Sequence, residues 1–235
     1  MEVLIKPEKL KEKDRNQKTV RFSDAHWYSP GIEVLIGGVG SIGSHLAYYL
    51  GRQECELYIY DMDLVSEVNI GGQLYPVNKL LEKKTQITKE MVKLLSDNTN
   101  VHTFDRFTED SMASEYMFSC FDNMVARKVF FESWCKVDSK DKIFIDGRMN
   151  FQQGQVFVVT HDRIEDYKKE LFNDSEVKDA QCTMKSTTFC GSLVAALMTA
   201  VFNNYMGNKL SGIPLGDYPF KTDYNLQTFK FDTYE

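Results

Sequence analysis

Short apolar runs alternate along the chain with segments in which apolar residues recur at helical spacing. The first run, Val34-Leu35-Ile36, ends in glycines and is typical of a buried parallel strand. Because strands that alternate with helices form a mostly parallel sheet, the pattern predicts a Rossmann-like, doubly wound α/β fold with helices on both faces. The predicted strands cover 34–36, 56–60, 116–121, 142–145, 154–160 and 229–234, and the predicted helices cover 41–50, 85–95, 124–134 and 191–206.

Two segments depart from this pattern. Residues 1–20 are mostly charged and polar, which predicts an N-terminal arm in front of a single domain at 21–235. Within that domain, residues 161–188 offer few apolar anchors. We therefore expect 161–188 to form a mobile crossover segment.

Composition narrows the classes of function. The chain has 235 residues, of which 43% are apolar and 26% charged, so it can bury a substantial core. Its net charge of -6 argues against a nucleic-acid partner or an anionic membrane. The longest apolar run, 189–202, is about 14 residues long, whereas a spanning helix needs roughly 20. This run predicts a buried core helix.

Cysteine usage and the first residues indicate the compartment. The five cysteines are widely spaced and form no C-x-x-C pair, so neither a disulfide framework nor a zinc site is predicted. The opening MEVLIKPEKLKEKDRNQK lacks the apolar core of a secretory signal. We expect a cytoplasmic location.

A glycine-rich turn follows the first predicted strand. It reads Gly38-Val39-Gly40-Ser41-Ile42-Gly43, a G-x-G-x-x-G pattern. Glycines let a ligand approach the backbone, and the following helix aims free N–H groups at a phosphate. Asp61 ends the next strand, where a carboxylate can accept hydrogen bonds from ribose hydroxyls. These features predict a nucleotide site, but a nicotinamide-dependent oxidoreductase would share them, and a tight turn without a ligand is the structural alternative.

Further polar residues follow the turn in a fixed order. Asp63 completes a D-x-D at the second strand, and a polar loop carries Asn69 and Gln73. Lys83 comes next, then F-D-N at 121–123. The series closes with Arg127 and the segment DGRMNFQQGQV at 146–156. Over roughly residues 21–206, this set resembles the ThiF/MoeB/ubiquitin-activating-enzyme family of adenylyltransferases.

The resemblance implies a reaction and its partners. ATP would bind in the crevice, and a substrate carboxylate would attack the α-phosphorus to give an acyl-adenylate and pyrophosphate. The implied substrate is the C-terminal glycine of a ubiquitin-like or sulfur-carrier protein, and the implied assembly is a homodimer. Asp122 would be a Mg²⁺ ligand, Lys83 would face the α- and β-phosphates, and Asp61 would hold the ribose. The other implied nucleotide contacts are Gly38, Gly40, Ser41, Ile42, Asp63, Asn69, Gln73, Asn123 and Arg127.

Each assignment also has a structural interpretation. Asp122 could cap the helix that begins near 124, since Asp is favoured at that position. Lys83 could be one of several solvated lysines, with its neighbour Lys84 as the competing choice. Asn69 and Gln73 could be turn residues.

One position departs from the family pattern. The arginine expected in N-x-x-R-Q falls on Gly72, which has no charge to offer the phosphates. Arg127, Arg148 or the Arg21 of a second subunit could replace it. Alternatively, the chain could be a degenerate nucleotide-binding or scaffold protein of the same fold.

Cys182 is the candidate nucleophile. It begins CTMKSTTFCG, just before the apolar helix, where ubiquitin-activating relatives carry a cysteine that receives the acyl group as a thioester. Nearby positive charge would favour the reactive thiolate. A small apolar residue in a loop is the alternative, and Cys190 is expected to belong to the core.

Overall fold

The computed structural model describes residues 22–172, 187–213 and 218–235. Cys182, Arg21 and the predicted arm at 1–20 lie outside these ranges. The strands are β1 (Glu33–Gly37), β2 (Glu56–Tyr60), β3 (Val101–Phe104), β4 (Tyr116–Ser119), β5 (Ile143–Asn150), β6 (Gln153–Val159), β7 (Lys221–Asn225) and β8 (Lys230–Tyr234). The α-helices are α1 (Gly43–Arg52), α2 (Glu67–Ile70), α3 (Lys84–Ser96), α4 (Met124–Cys135), α5 (Ile164–Lys169) and α6 (Thr188–Leu210), and two 3₁₀ turns cover Val77–Lys79 and His161–Arg163.

All eight strands form one sheet in the order β3-β2-β1-β4-β5-β6-β7-β8. The pairs from β3 to β5 are parallel, and the pairs from β5 to β8 are antiparallel. The chain builds outward from β1 in one direction to β3 and then returns to add β4 on the other side. The strand order therefore reverses between β1 and β4, where a crevice opens at the carboxyl ends of both strands.

Alternating strand residues pack into two hydrophobic cores, one on each face of the sheet. On one face, Val34 and Ile36 pack with residues of α1, α3 and α6. On the other, Leu35 packs with residues of α4 and α5. Because successive strand residues point to opposite faces, this division follows from the sequence of β1 itself. The prediction of a doubly wound α/β fold is confirmed.

Helix α6 is the long apolar element. By length and composition it could cross a membrane, but half of its most apolar window is buried inside the protein. It packs on β5, β6 and α1. Cys190 is fully buried in the core, as predicted.

The sequence analysis did not predict two of the strands, β3 and β7, or the two short helices α2 and α5. Strand β3 (VHTF) is partly exposed and β7 (KTDYN) is mostly polar, so neither has the apolar run of a buried strand. Residues 161–169 were included in the predicted mobile crossover, yet they form a 3₁₀ turn and α5. The physical reason is Tyr167, which is fully buried and packs against Phe131 and Phe144. Tyr167, with the partly buried Ile164 and Leu171 beside it, anchors a segment whose charged sequence predicts few such contacts.

A buried lysine caps the C-terminal end of α4 by donating hydrogen bonds to its carbonyls. The Lys142 ammonium donates to the carbonyls of Trp134, Cys135 and Val137 at 2.9, 3.0 and 2.6 Å. It also lies 4.6 Å from the centre of the Trp134 ring. One side chain therefore satisfies three carbonyls at the end of the helix.

We expect Lys142→Met to lower the free energy of unfolding by about 2 kcal/mol, because buried carbonyls lose a charged donor. Urea denaturation measures the change. Lys140→Met is the matched control, since Lys140 is exposed, and it should stay within about 0.5 kcal/mol of the wild type. Equal stabilities for the two variants would contradict the role of Lys142.

Candidate functional site

The glycine turn fits against its neighbours without room for side chains at two positions. Gly38 has φ of +83°, and a Cβ there would lie 2.9 Å from the carbonyl oxygen of Cys120. A Cβ at Gly43 would collide with the carbonyl of Gly38. Gly40 differs, since the nearest atom to its Cβ position is the Gln73 amide nitrogen at 3.9 Å. The loop therefore leaves open space at Gly40, where a phosphate group could approach the backbone.

Asp61 holds the loop in place. Its carboxylate accepts the backbone N–H of Val39 at 2.8 Å and that of Asp63 at 2.9 Å. Burial raises the pKa of Asp61, and the nearby Lys84 opposes that rise. Each carboxylate oxygen retains a lone pair beyond these bonds, so Asp61 can still accept a ribose hydroxyl.

Two adjacent lysines have different surroundings. Lys83, the sequence-predicted phosphate ligand, is half exposed and its ammonium lies 2.6 Å from the Asp105 carboxylate. Lys84 is the first residue of α3, and its side chain is only 7% exposed. The Lys84 ammonium lies 2.8 Å from Asp63. The structure therefore places Lys84, rather than Lys83, beside the aspartate pair, while the phosphate role of Lys83 stays a prediction.

In the polar loop after β2, one side chain stabilises the loop itself and another lies beside the glycine turn. Asn69 Oδ1 accepts the backbone N–H and the hydroxyl of Ser66, both at 2.9 Å, and so caps the short helix α2. Only the Asn69 amide NH₂ group is left to donate to a ligand. Gln73 has a buried Oε1 for which the described residues provide no hydrogen-bond partner. The atom beside Gly40 is the Gln73 amide nitrogen, a donor that could face a phosphate, whereas the unpaired Oε1 is an acceptor that a water or a ribose hydroxyl could satisfy.

Hydrogen bonds tie this loop to the glycine turn. The Tyr75 hydroxyl donates to the carbonyl of Val39, and the Ser44 hydroxyl accepts the backbone N–H of Leu74. Sequence reasoning missed both contacts, because neither Tyr75 nor Ser44 belongs to a recognisable motif. They hold Gln73 next to Gly40.

Asp122 follows β4 and is exposed at the same edge of the sheet. It does not cap α4, because Asn123 does so by accepting the Ala126 N–H at 2.9 Å. The Asn123 amide also donates to Asp122 at 3.2 Å. Within the described ranges, no group of three or more His, Cys, Asp or Glu residues could hold a metal ion. A Mg²⁺ at Asp122 would therefore take most of its ligands from phosphates and water, as Mg²⁺ commonly does.

Of the three arginines that could replace the family arginine, Arg21 lies outside the described residues, and the other two are engaged in a buried ion-pair cluster. Arg127 and Arg148 both pair with the fully buried Asp146. Gly72 itself is buried, and its N–H donates to the Asn69 carbonyl at 3.1 Å. The described residues place the ammonium of Lys84, and no guanidinium from Arg127 or Arg148, at the end of β2.

The start of α6 packs against both loops of the site. The Thr188 hydroxyl donates to the Gly71 carbonyl at 2.5 Å. A Cβ at Gly191 would collide with the carbonyl of Ser41. The first turn of α6 thus lies directly on the glycine turn, while Ile42 is buried beneath it in the core.

The ThiF family matches residues 31–233, which is most of the chain. This protein belongs to the ThiF family. Among curated proteins, the tRNA threonylcarbamoyladenosine dehydratase of Haemophilus influenzae is 29% identical over 122 residues, 48% of this chain and 47% of the relative. The chain therefore spans about half of the length of that relative.

Solved structures share the fold. Escherichia coli MccB with ATP has a TM-score of 0.65 at 16% identity, over 87% of this chain and 63% of MccB. PaaA has a TM-score of 0.67 at 17% identity, over 100% of this chain and 77% of PaaA. The family match covers all of the residues that form the crevice described above.

Burial raises the pKa of each described cysteine, which disfavours the nucleophilic thiolate. Burial raises the pKa of Cys55 and of Cys120 from 9.0 to about 12. Burial also raises the pKa of Cys190 and Cys135. The thioester role of Cys182 stays a prediction, because that residue lies outside the described ranges.

We expect Cys55 and Cys120 to react with iodoacetamide at pH 8 at least 100-fold more slowly in the folded protein than in urea. A rise of three pKa units lowers the thiolate fraction about 1,000-fold, and burial blocks access as well. Mass spectrometry of timed samples measures the rate at each cysteine. Fast labelling of Cys120 in the folded protein would contradict this assignment.

Proposed function

We propose that this ThiF-family chain binds ATP with Mg²⁺ in the crevice between β1 and β4 and transfers the adenylyl group to a substrate carboxylate. The observation that carries the proposal is the buried Lys84 ammonium, held by Asp63 at the end of β2. A nicotinamide-dependent oxidoreductase needs the glycine turn and Asp61 but has no use for this cation. A nucleotide whose phosphates react does need it.

The chain's residues divide the work of binding and orientation. The Asp61 carboxylate accepts hydrogen bonds from the ribose hydroxyls. The turn at Gly38 and Gly40 lets the phosphates approach the backbone, and the Lys84 ammonium offsets their negative charge. The Gln73 amide nitrogen, beside Gly40, donates to a phosphate oxygen. Asp122 holds the Mg²⁺, with the remaining ligands supplied by phosphate oxygens and water. Ser41, Ile42, Asn69 and Asn123 complete the proposed lining of the crevice.

The reaction is an in-line displacement. A carboxylate oxygen of the substrate forms a bond to the α-phosphorus, and the bond to the bridging oxygen breaks as pyrophosphate leaves. Negative charge grows on the phosphate oxygens during this step, so fixed positive charge accelerates it. Lys84 is already desolvated and oriented before ATP arrives, which avoids reorganisation during the reaction.

We propose the C-terminal glycine carboxylate of a ubiquitin-like or sulfur-carrier protein as the substrate. The dehydratase relative is named for a modified adenosine in tRNA, which makes a tRNA-borne carboxylate the second candidate. The net charge of -6 favours a protein substrate over a nucleic acid. Cys182, as acceptor of the acyl group, belongs to the first candidate alone.

A second function has support from one position. Gly72 removes an arginine that contacts phosphates in the family pattern, and loss of one such donor commonly lowers a rate by a hundred- to a thousand-fold. A nucleotide-binding scaffold without turnover fits this loss.

A cytoplasmic location stays a prediction from cysteine usage.

Pyrophosphate exchange tests the proposal. The wild-type chain is incubated with ATP, Mg²⁺ and labelled pyrophosphate, with either a carrier protein ending in glycine or threonylcarbamoylated tRNA. Exchange that depends on one of them supports adenylylation and identifies its substrate. Normal ATP binding without exchange would favour the scaffold, and thermal stabilisation by NAD but not by ATP–Mg²⁺ would exclude both.

The neighbouring lysines provide a matched pair of variants. Lys84→Met should lower exchange at least 100-fold, because the buried cation is lost. Lys83→Met should stay within about threefold of the wild type, since it removes only an exposed ion pair with Asp105. The reverse ranking would restore Lys83 as the phosphate ligand.

We further propose a homodimer that covers the outer side of α6. Ala196 and Ala200 are exposed there beside the half-buried Leu193 and Leu197, and Phe189 is 54% exposed. A helix that is apolar on all sides is ordinarily covered.

Ala196→Glu should convert the dimer to a monomer, because a charge would be placed inside the apolar interface. Light scattering measures the mass. The matched control is Leu94→Glu on α3, where another exposed apolar residue lies on a different surface. A monomeric wild type, or a dimer unaffected by Ala196→Glu, would contradict this interface.

A further inference from the structure

A buried ionic cluster lies beneath the segment that carries Asp122. Its centre is Asp146 on β5, which is fully buried and pairs in register with Ser119 at the end of β4. One Asp146 oxygen faces Arg127, and the other accepts Arg148 Nε at 2.7 Å and the Tyr167 hydroxyl at 2.8 Å. The cluster therefore sets two arginines against one aspartate.

Arg148 makes its remaining contacts on the side of the cluster opposite Arg127. Its guanidinium donates to the carbonyl of Glu170 at 3.1 Å and stacks over the Phe157 ring at 4.3 Å. These contacts fix the position of Asp146 from the side away from the crevice.

Arg127 connects the cluster to the candidate site. One nitrogen, Nη1, faces Asp146 and lies 3.3 Å from the Ser119 hydroxyl. The other, Nη2, donates to the carbonyl of Phe121. That carbonyl belongs to the peptide bond that joins Phe121 to Asp122. A single rigid fork thus reaches from a buried carboxylate to the backbone of the proposed metal ligand.

Stability alone does not explain such a cluster. Desolvating charges is expensive, and well-packed apolar residues often stabilise a core as well as a buried ion pair does. The apolar rings of Phe130 and Phe131 already fill the neighbouring core on α4. What apolar residues could not supply is a directed donor to the Phe121 carbonyl.

We infer that Arg127 is a positioning residue for Asp122, oriented by Asp146, and that it is not a ligand of the nucleotide. The inference rests on the proposed function, because it assigns Asp122 the task of holding Mg²⁺. Arg127 holds the Phe121–Asp122 peptide in one orientation, so that the Asp122 carboxylate meets the metal at the edge of the crevice without reorganisation.

The informative variant is Arg127→Lys. A lysine keeps the positive charge opposite Asp146 but is a single point donor that cannot also reach the Phe121 carbonyl. Without any ligand, amide hydrogen exchange of residues 120–124 should rise at least tenfold. With ATP, the Mg²⁺ concentration for half-maximal binding should rise at least tenfold, while ATP affinity in EDTA stays within about twofold of the wild type.

Tyr167→Phe is the matched control. It removes one hydrogen bond to Asp146 from the same cluster but leaves the contacts of Arg127 in place. Its Mg²⁺ requirement should stay within about twofold of the wild type, whatever its thermal stability. Asp146→Asn is the second test variant if Arg127→Lys does not fold, and it should raise the Mg²⁺ requirement because Arg127 loses its anchor.

The outcomes separate this inference from the proposed function. A wild-type chain that fails to bind ATP with Mg²⁺ overturns both. Wild-type binding with an unchanged Mg²⁺ requirement and unchanged amide exchange in Arg127→Lys overturns the positioning role alone. A large loss of ATP affinity in EDTA would make Arg127 a nucleotide ligand and likewise overturn it.

Discussion

The close contact between the first turn of α1 and the backbone that ends β1 determines how the rest of the crevice is arranged. Gly43 packs on the carbonyl of Gly38, and Gly38 in turn lies against the carbonyl of Cys120 at the end of β4. Three segments therefore meet in close backbone contact, at positions where a larger side chain than glycine's would not fit. This contact brings the end of β4, and with it Asp122, within the same crevice as the glycine turn.

Polar contacts then organise the second side of the crevice. Asp61 accepts two backbone N–H groups, one from the turn and one from its own loop, so a single carboxylate sets the distance between β1 and the loop after β2. Asp63 holds the side chain of Lys84 in place through an ion pair. Both aspartates of the D-x-D pair thus have structural partners in the protein itself.

The sequence predicts what depends on local patterns. Apolar runs and glycine punctuation indicate the parallel strands and the doubly wound order, and motif spacing indicates the glycine turn, Asp61 and Asp122. Choices between neighbouring residues are different, because they depend on which way a side chain points after the chain has folded. Three features of the site depend on such side-chain orientations and could not be predicted: the burial of Lys84, the capping role of Asn123 and the pairing of Arg127 with Asp146. Strand β7 was missed because its polar sequence is stabilised by its neighbours in the sheet rather than by its own apolar residues.

The adjacent lysines at the head of α3 have a consequence for how the chain tolerates change. Because both residues are lysine, lengthening the preceding turn by one residue would rotate the helix start and bring Lys83 to the position of Lys84. An ammonium would still stand beside the aspartate pair. The duplication means that counting residues between motifs does not by itself decide which lysine lies beside the aspartate pair.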